Sequence, residues 1–168
     1  MTVRVWSPDA GIPIRVKAEN SGDPTISVET EATITAAGVW ETLTFDFSNE
    51  VGGTAALNIA NNYDLVSIFF DFGTTGADVG ADRTFYWDDV QFGASGPPPA
   101  LTQMDLPVTF EDTSTVNYVF EDFGGNASSL VVDPTDPTNL VAQSIKTATA
   151  ELWAGTSLDE DSAPGSNV

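Results

Sequence analysis

The chain has 168 residues, 25 acidic against 5 basic side chains, a net charge of −20, and neither Cys nor His. This balance excludes nucleic acid and anionic membranes as partners, because both need clustered Lys and Arg. Thiolate chemistry, a Ser-His-Asp triad and Cys/His zinc sites are excluded as well.

Period-two alternation, the mark of half-buried strands, dominates the chain. It predicts strands over residues 2–6, 14–18, 25–31 with 33–35, and 40–47. Residues 65–72 are more continuously apolar, which predicts a central strand covered on both faces. Residues 84–92 form a further strand. Turn signals separate these runs at residues 7–11, 20–24, 52–53 and 73–82. Residues 55–61 fit a short helical turn or an irregular crossover. Residues 94–105, with three consecutive prolines, read as a Pro/Gly-rich linker. Strands resume at 106–111, 116–121, 130–132, 140–145 and 150–153, and residues 159–168 read as a flexible tail. There is no long amphipathic helix and no apolar run of the ~20 residues a membrane span needs. Met1 leads directly into a strand pattern, so no signal peptide is expected here.

Many short strands imply an all-β sandwich of jelly-roll type. With 41% hydrophobic residues, 10 Phe and 4 Trp, an ordered core is expected despite the charge. Each side of the linker nevertheless looks incomplete. Residues 106–158 are too few for an independent sandwich of ~100 residues, and residues 1–93 lack the start of one.

Thr84-Phe85-Tyr86-Trp87-Asp88-Asp89-Val90-Gln91-Phe92 resembles the closing strand of calcium-containing β-jelly-roll carbohydrate-binding modules. Residues 38–47 resemble a central strand of those modules, and Pro107-Val108-Thr109-Phe110-Glu111-Asp112 resembles their opening strand. Such modules are appended to secreted laminarinase-like and agarase-like enzymes of marine bacteria. The order is swapped: residues 1–93 match the back of the module and residues 106–158 the front. Three arrangements accommodate this. The chain is a circular permutant, a piece cut across two tandem modules, or a subunit whose front half completes a neighbouring copy by strand donation.

The resemblance implies a structural calcium ion where opening and closing strands meet. It would take Glu111 and one of Asp88 and Asp89, with Asp112, Glu121 and Asp122 as weaker candidates. Strand alternation places Asp88 and Asp89 on opposite faces. The loop of residues 133–139 is a second cation candidate, though Asp-Pro and Asn also simply punctuate turns. For a glycan, aromatic rings supply stacking surfaces and polar groups meet hydroxyls. Trp153 is the leading aromatic, followed by Trp6 and then Tyr86, whereas Trp40 reads as a packing residue. Arg15 and Lys17 share one strand face and would either bind hydroxyls or neutralise neighbouring acids. No catalytic carboxylate pair stands out, so no enzyme is expected. The expectation is a secreted, non-catalytic module that binds a polysaccharide such as a β-glucan. The alternative is a calcium-dependent extracellular filament subunit whose partner is a copy of itself, joined head to tail.

Overall fold

A computed structural model describes residues 1–92, 108–111, 113 and 116–160, the side chains of Asp159 and Glu160 excepted. The predicted linker 94–105, candidate ligand Asp112 and residues 161–168 lie outside the described residues.

The chain is an all-β sandwich of two five-stranded antiparallel sheets. In chain order the strands are β1 (Thr2–Trp6), β2 (Pro13–Asn20), β3 (Asp23–Thr33), β4 (Trp40–Thr44), β5 (Leu65–Phe70), β6 (Arg83–Gln91), β7 (Tyr118–Phe123), β8 (Asn126–Asp133), β9 (Asp136–Lys146) and β10 (Gly155–Glu160). One short helix, α1 (Gly76–Val79), falls inside the predicted turn region, closed by the reciprocal Thr75–Asp78 capping box. The first sheet runs β4-β1-β6-β9-β8 and the second β3-β2-β5-β10-β7. Both sheets are therefore built from both sides of the linker: β9 pairs with β6, and β10 with β5.

Alternation along the strands decides what is buried. Val3 and Val5 of β1, Ile14 and Val16 of β2, Ile68 and Phe70 of β5, and Phe85 and Trp87 of β6 point inward. Trp87 is fully buried; its ring meets Phe110 and Phe120 edge-on at centroid distances of 5.4 and 5.9 Å. Its indole N–H donates to Ser144 Oγ at 3.2 Å, so the one polar atom of the ring is satisfied. Residues after the linker thus fill the core laid down by residues before it.

Three expected elements differ. Residues 150–153, expected as a strand, form a turn instead, held by Glu151 N–H to Gly124 O at 2.8 Å and Gly76 N–H to Ala150 O at 2.7 Å. The strand begins only at Gly155 and runs to Glu160, two residues into the segment read as tail. Residues 106–111 contribute a single described bridge, Val108 to Val90, before Phe110 turns with φ of 61° and inserts its ring into the core. Alternation in short apolar runs does not distinguish a strand from a turn whose apolar residues happen to pack.

A buried ionic knot crosses the sandwich. Lys146, at the end of β9 in the first sheet, is 2% exposed. Its ammonium donates to the carbonyls of Phe70 at 3.1 Å and Asp71 at 2.7 Å, at the end of β5 in the second sheet. The buried Asp71 carboxylate in turn accepts from Arg83 of β6. Burial pulls the Lys146 pKa below the ordinary lysine range, while the neighbouring Asp71 charge opposes that shift and Arg83 adds to it. Lys146→Met removes a desolvated cation together with the donors for two carbonyls, and is expected to cost ~3 kcal/mol. Denaturant unfolding measures it; a loss under ~1 kcal/mol would mean that the carbonyls are satisfied another way.

Candidate functional site: an acidic seam and two sheet faces

The predicted closing and opening strands do meet. Val90 of β6 and Val108 exchange backbone hydrogen bonds of 3.3 and 3.2 Å. Beside this bridge β6 bulges. Arg4 faces Asp88 but Thr2 faces Gln91, so one residue of β1 is set against two of β6. Asp89 takes the extra position with φ of 50°. Strict alternation therefore fails at the Asp pair. Trp87 and Asp88 are both buried, whereas Asp89 is partly exposed and sits 3.9 Å from Arg4.

Asp88 is the distinctive acid, only 2% exposed. Burial pushes its pKa up to about 6, against the pull of the Asp89 N–H (2.8 Å) and the Asn139 amide (3.2 Å), while Asp89 and Glu111 add repulsion. The same Asn139 amide donates to Asp133 at 3.3 Å, and Glu111 accepts from Leu140 N–H at 3.0 Å. Burial works against the Asp133 charge, but donors from Thr135, Asn139 and Trp40 hold its pKa below the usual carboxylate range. Two cation candidates far apart in sequence, the Asp pair and the 133–139 loop, thus form one seam. Glu121 lies apart from it, on β7 of the other sheet, and Asp122 caps the next hairpin by accepting from Asn126 and Ser128. Among the described residues no three acids converge as a ready-made metal cage. Asp88 and Glu111 are the partial carboxylate set that calcium's oxygen preference fits.

The outer face of the second sheet carries Arg15, Lys17 and Trp153. In register, Glu31, Arg15, Phe69, Gly155 and Phe123 form one row, and Glu29, Lys17, Ser67, Ser157 and Glu121 the next. Gly155 is required there, since an added Cβ would lie 2.4 Å from Ile68 O and 3.1 Å from the Phe123 ring. Without a side chain between them, Phe69 and Phe123 meet edge-to-face at 5.4 Å. Trp153, 46% exposed, stacks on Phe123 at 6.3 Å, and Phe72 packs on Phe69 from the other side. Arg15 lies over the Phe72 ring at 3.6 Å and pairs with Glu29 and Glu31 at 3.2 and 3.1 Å. Lys17 pairs with Glu19. Ser67 links Glu19 (3.2 Å) to Ser157 (2.8 Å), and all three are buried although they face outward, so they floor a trough.

The outer face of the first sheet carries Trp6 and Tyr86, packed edge-on at 5.4 Å. Trp40, expected in the core, stands beside them on this face and is only half-buried. Leu43, not Trp40, is the buried residue of β4. An open cleft of about 440 Å³ adjoins this face, lined by Trp6, Asp9, Asp82, Arg83 and Tyr86. The five sequence-chosen ligand residues therefore divide between two opposite faces.

Comparison with protein-family models, curated proteins and solved structures finds no match, so the reading of these sites rests on their own geometry.

A carboxyl whose pKa is raised on folding binds a proton as the chain folds. Its contribution is most favourable below its ordinary value of 3.8 and is lost as pH rises toward about 6. In chelator, the wild type is expected to lose up to ~3 kcal/mol relative to Asp88→Asn between about pH 3 and pH 7. Denaturant titrations at several pH values test this, and parallel curves would show that Asp88 does not titrate in that window.

Proposed function

We propose that the chain is a non-catalytic carbohydrate-binding module, and that its glycan lies in the trough of the second sheet. The observation that carries this is the half-exposed Trp153 ring, stacked on Phe123 at the end of an aromatic ladder beside the Ser67–Ser157–Glu19 network. Sugars offer apolar C–H faces to rings and hydroxyls to fixed polar groups, and this face supplies both, already held in place. The Trp153 ring packs closely over Gly124, whose φ is 63°: a Cβ added there would lie 3.0 Å from the ring.

The proposal includes a jelly roll with permuted strand order and a structural calcium at the seam. Support for the permutation comes from the completion of both sheets by the chain's own residues 118–160, and from the Val90–Val108 contact between closing and opening strands. Support for calcium comes from the buried Asp88 carboxyl beside Glu111. A divalent cation there would favour the ionised form of Asp88 against the burial, and the Asp89 and Glu111 repulsion, that raise its pKa. Extracellular deployment on a polysaccharide such as a β-glucan belongs to the same reading.

Affinity electrophoresis against a glycan panel, with calcium present, tests it. At least one polysaccharide is expected to retard the chain. Trp153→Ala is expected to weaken trough binding about tenfold or more, the loss of one stacking contact of ~1.5 kcal/mol. Retardation by no glycan, or an unchanged affinity in Trp153→Ala, would overturn the trough assignment.

A further inference from the structure

Five strands of the first sheet align one residue each in a single row: Trp40, Trp6, Tyr86, Gln143 and Ser129. The row crosses the whole sheet, four interstrand steps of ~4.8 Å, about 19 Å in all. Its first four members are half-buried and Ser129 is exposed. Each ring is fixed by a neighbour. Arg4 lies 4.4 Å over Trp40, whose indole N–H donates to Thr135 Oγ1 at 3.2 Å. Trp6 abuts Tyr86, and Gln143 donates to the Tyr86 hydroxyl at 3.3 Å. The row therefore passes from aromatic rings to an amide and a hydroxyl, which suits a ligand with apolar faces and hydroxyl edges.

The charges around the row determine which ligand. Arg4 is engaged by Asp89 and Trp40, and Arg83 by Asp71 and Asp9. Asp9 and Asp82 line the adjoining cleft, and Asp133 and Asp136 flank the Trp40 end through the Thr135 loop. No uncommitted cation borders the row among the described residues, so a sulfated or uronic glycan would meet repulsion without compensation.

We propose that this face is a second glycan site, selective for a neutral polysaccharide running across the strands. With the trough on the opposite sheet, it makes the module bivalent. The proposal shares with the trough reading only the class of ligand and stands on different residues. Two faces that point apart cannot both engage one straight chain segment, so bivalency links separate polysaccharide chains.

The experiment uses the full chain with calcium and three soluble probes: a long β-1,3-glucan, a long β-1,4-linked xyloglucan, and hyaluronan, a uronic glycan that calcium does not gel, as the anionic control. Light scattering reads cross-linking and calorimetry with short oligomers of the bound glucan reads stoichiometry, for wild type, Trp6→Ala, Trp40→Ala, Trp153→Ala and the Trp6→Ala/Trp153→Ala double variant. Circular dichroism melts confirm that each is folded, and Trp40→Ala serves if Trp6→Ala is not. Two sites per chain and cross-linking by a neutral glycan are expected. Trp6→Ala and Trp153→Ala should each keep one site at full affinity and weaken the other about tenfold, with cross-linking and avidity for the long glycan reduced; the double variant should be weakened about tenfold at both sites. Full cross-linking in both Trp6→Ala and Trp40→Ala, or loss of all binding in Trp153→Ala alone, would overturn the second site while leaving the trough reading intact. Loss of all binding in Trp6→Ala alone would establish this face and overturn the trough. Hyaluronan bound more tightly than the neutral glycans would overturn the selectivity. A concentration-dependent dimer of the free chain that Trp6→Ala abolishes would show that the face is covered by a second copy instead.

Discussion

Lys146 reaches from the last residue of β9 across the sandwich to two carbonyls at the end of β5, and Arg83 of β6 closes the loop through Asp71. A buried ammonium is costly unless its donors are met, so this arrangement tolerates few alternative registers. Shifting β9 by one residue against β6 would turn Lys146 to solvent and place Ile145 against the carbonyls. The knot thereby fixes how the segment after the linker docks on the segment before it. It also sets the depth at which β9 delivers Ser144 to the Trp87 indole and Asn139 to Asp88. Core, seam and outer faces all inherit that register.

The scarcity of cations has a structural consequence. A chain of net charge −20 has five basic residues, and each is committed inside the fold. Arg15 and Lys17 neutralise Glu29, Glu31 and Glu19; Arg4 answers Asp89; Arg83 answers Asp71 and Asp9; Lys146 holds backbone carbonyls. The two weights given to Arg15 and Lys17 in the sequence, hydroxyl binding and neutralisation, are therefore not exclusive. Pairing holds the side chains in one geometry on the trough wall and keeps them from acting as free charges. The remaining acids leave the chain strongly negative.

Much of this was legible because it depends on local pattern. Period two located most of the strands. Apolar density in residues 65–72 foretold β5, whose two faces are both covered. What failed had non-local causes. Trp40 read as core because it opens an apolar strand, but its register against Trp6 turns it outward. Residues 150–153 read as a strand because the long-range hydrogen bonds to Gly124 and Gly76 that make them a turn have no local signature. The Asp88–Asp89 alternation was broken by a bulge, which sequence marks only weakly when the left-handed residue is Asp rather than Gly. Asn139 was named inside a turn motif, and nothing in the chain announced that its amide would bridge Asp133 and Asp88.

That bulge links the seam to the sheet faces. Without it, β6 would continue its alternation through residues 88–91, and Val90 would point outward with Tyr86 and Asp88. The extra residue at Asp89 returns Val90 to the core, where it is 5% exposed, and presents its backbone to Val108. Asp88, opposite Arg4 in register, stands immediately before the bulge and is desolvated there. A carboxylate is thus buried at the junction of the two segments, next to the aromatic row that includes Tyr86 two residues earlier. An ion captured there would stabilise the junction and, through β6, the strand that carries the row. Metal binding, closure of the two segments and rigidity of the first-sheet face are then one coupled equilibrium rather than three separate properties.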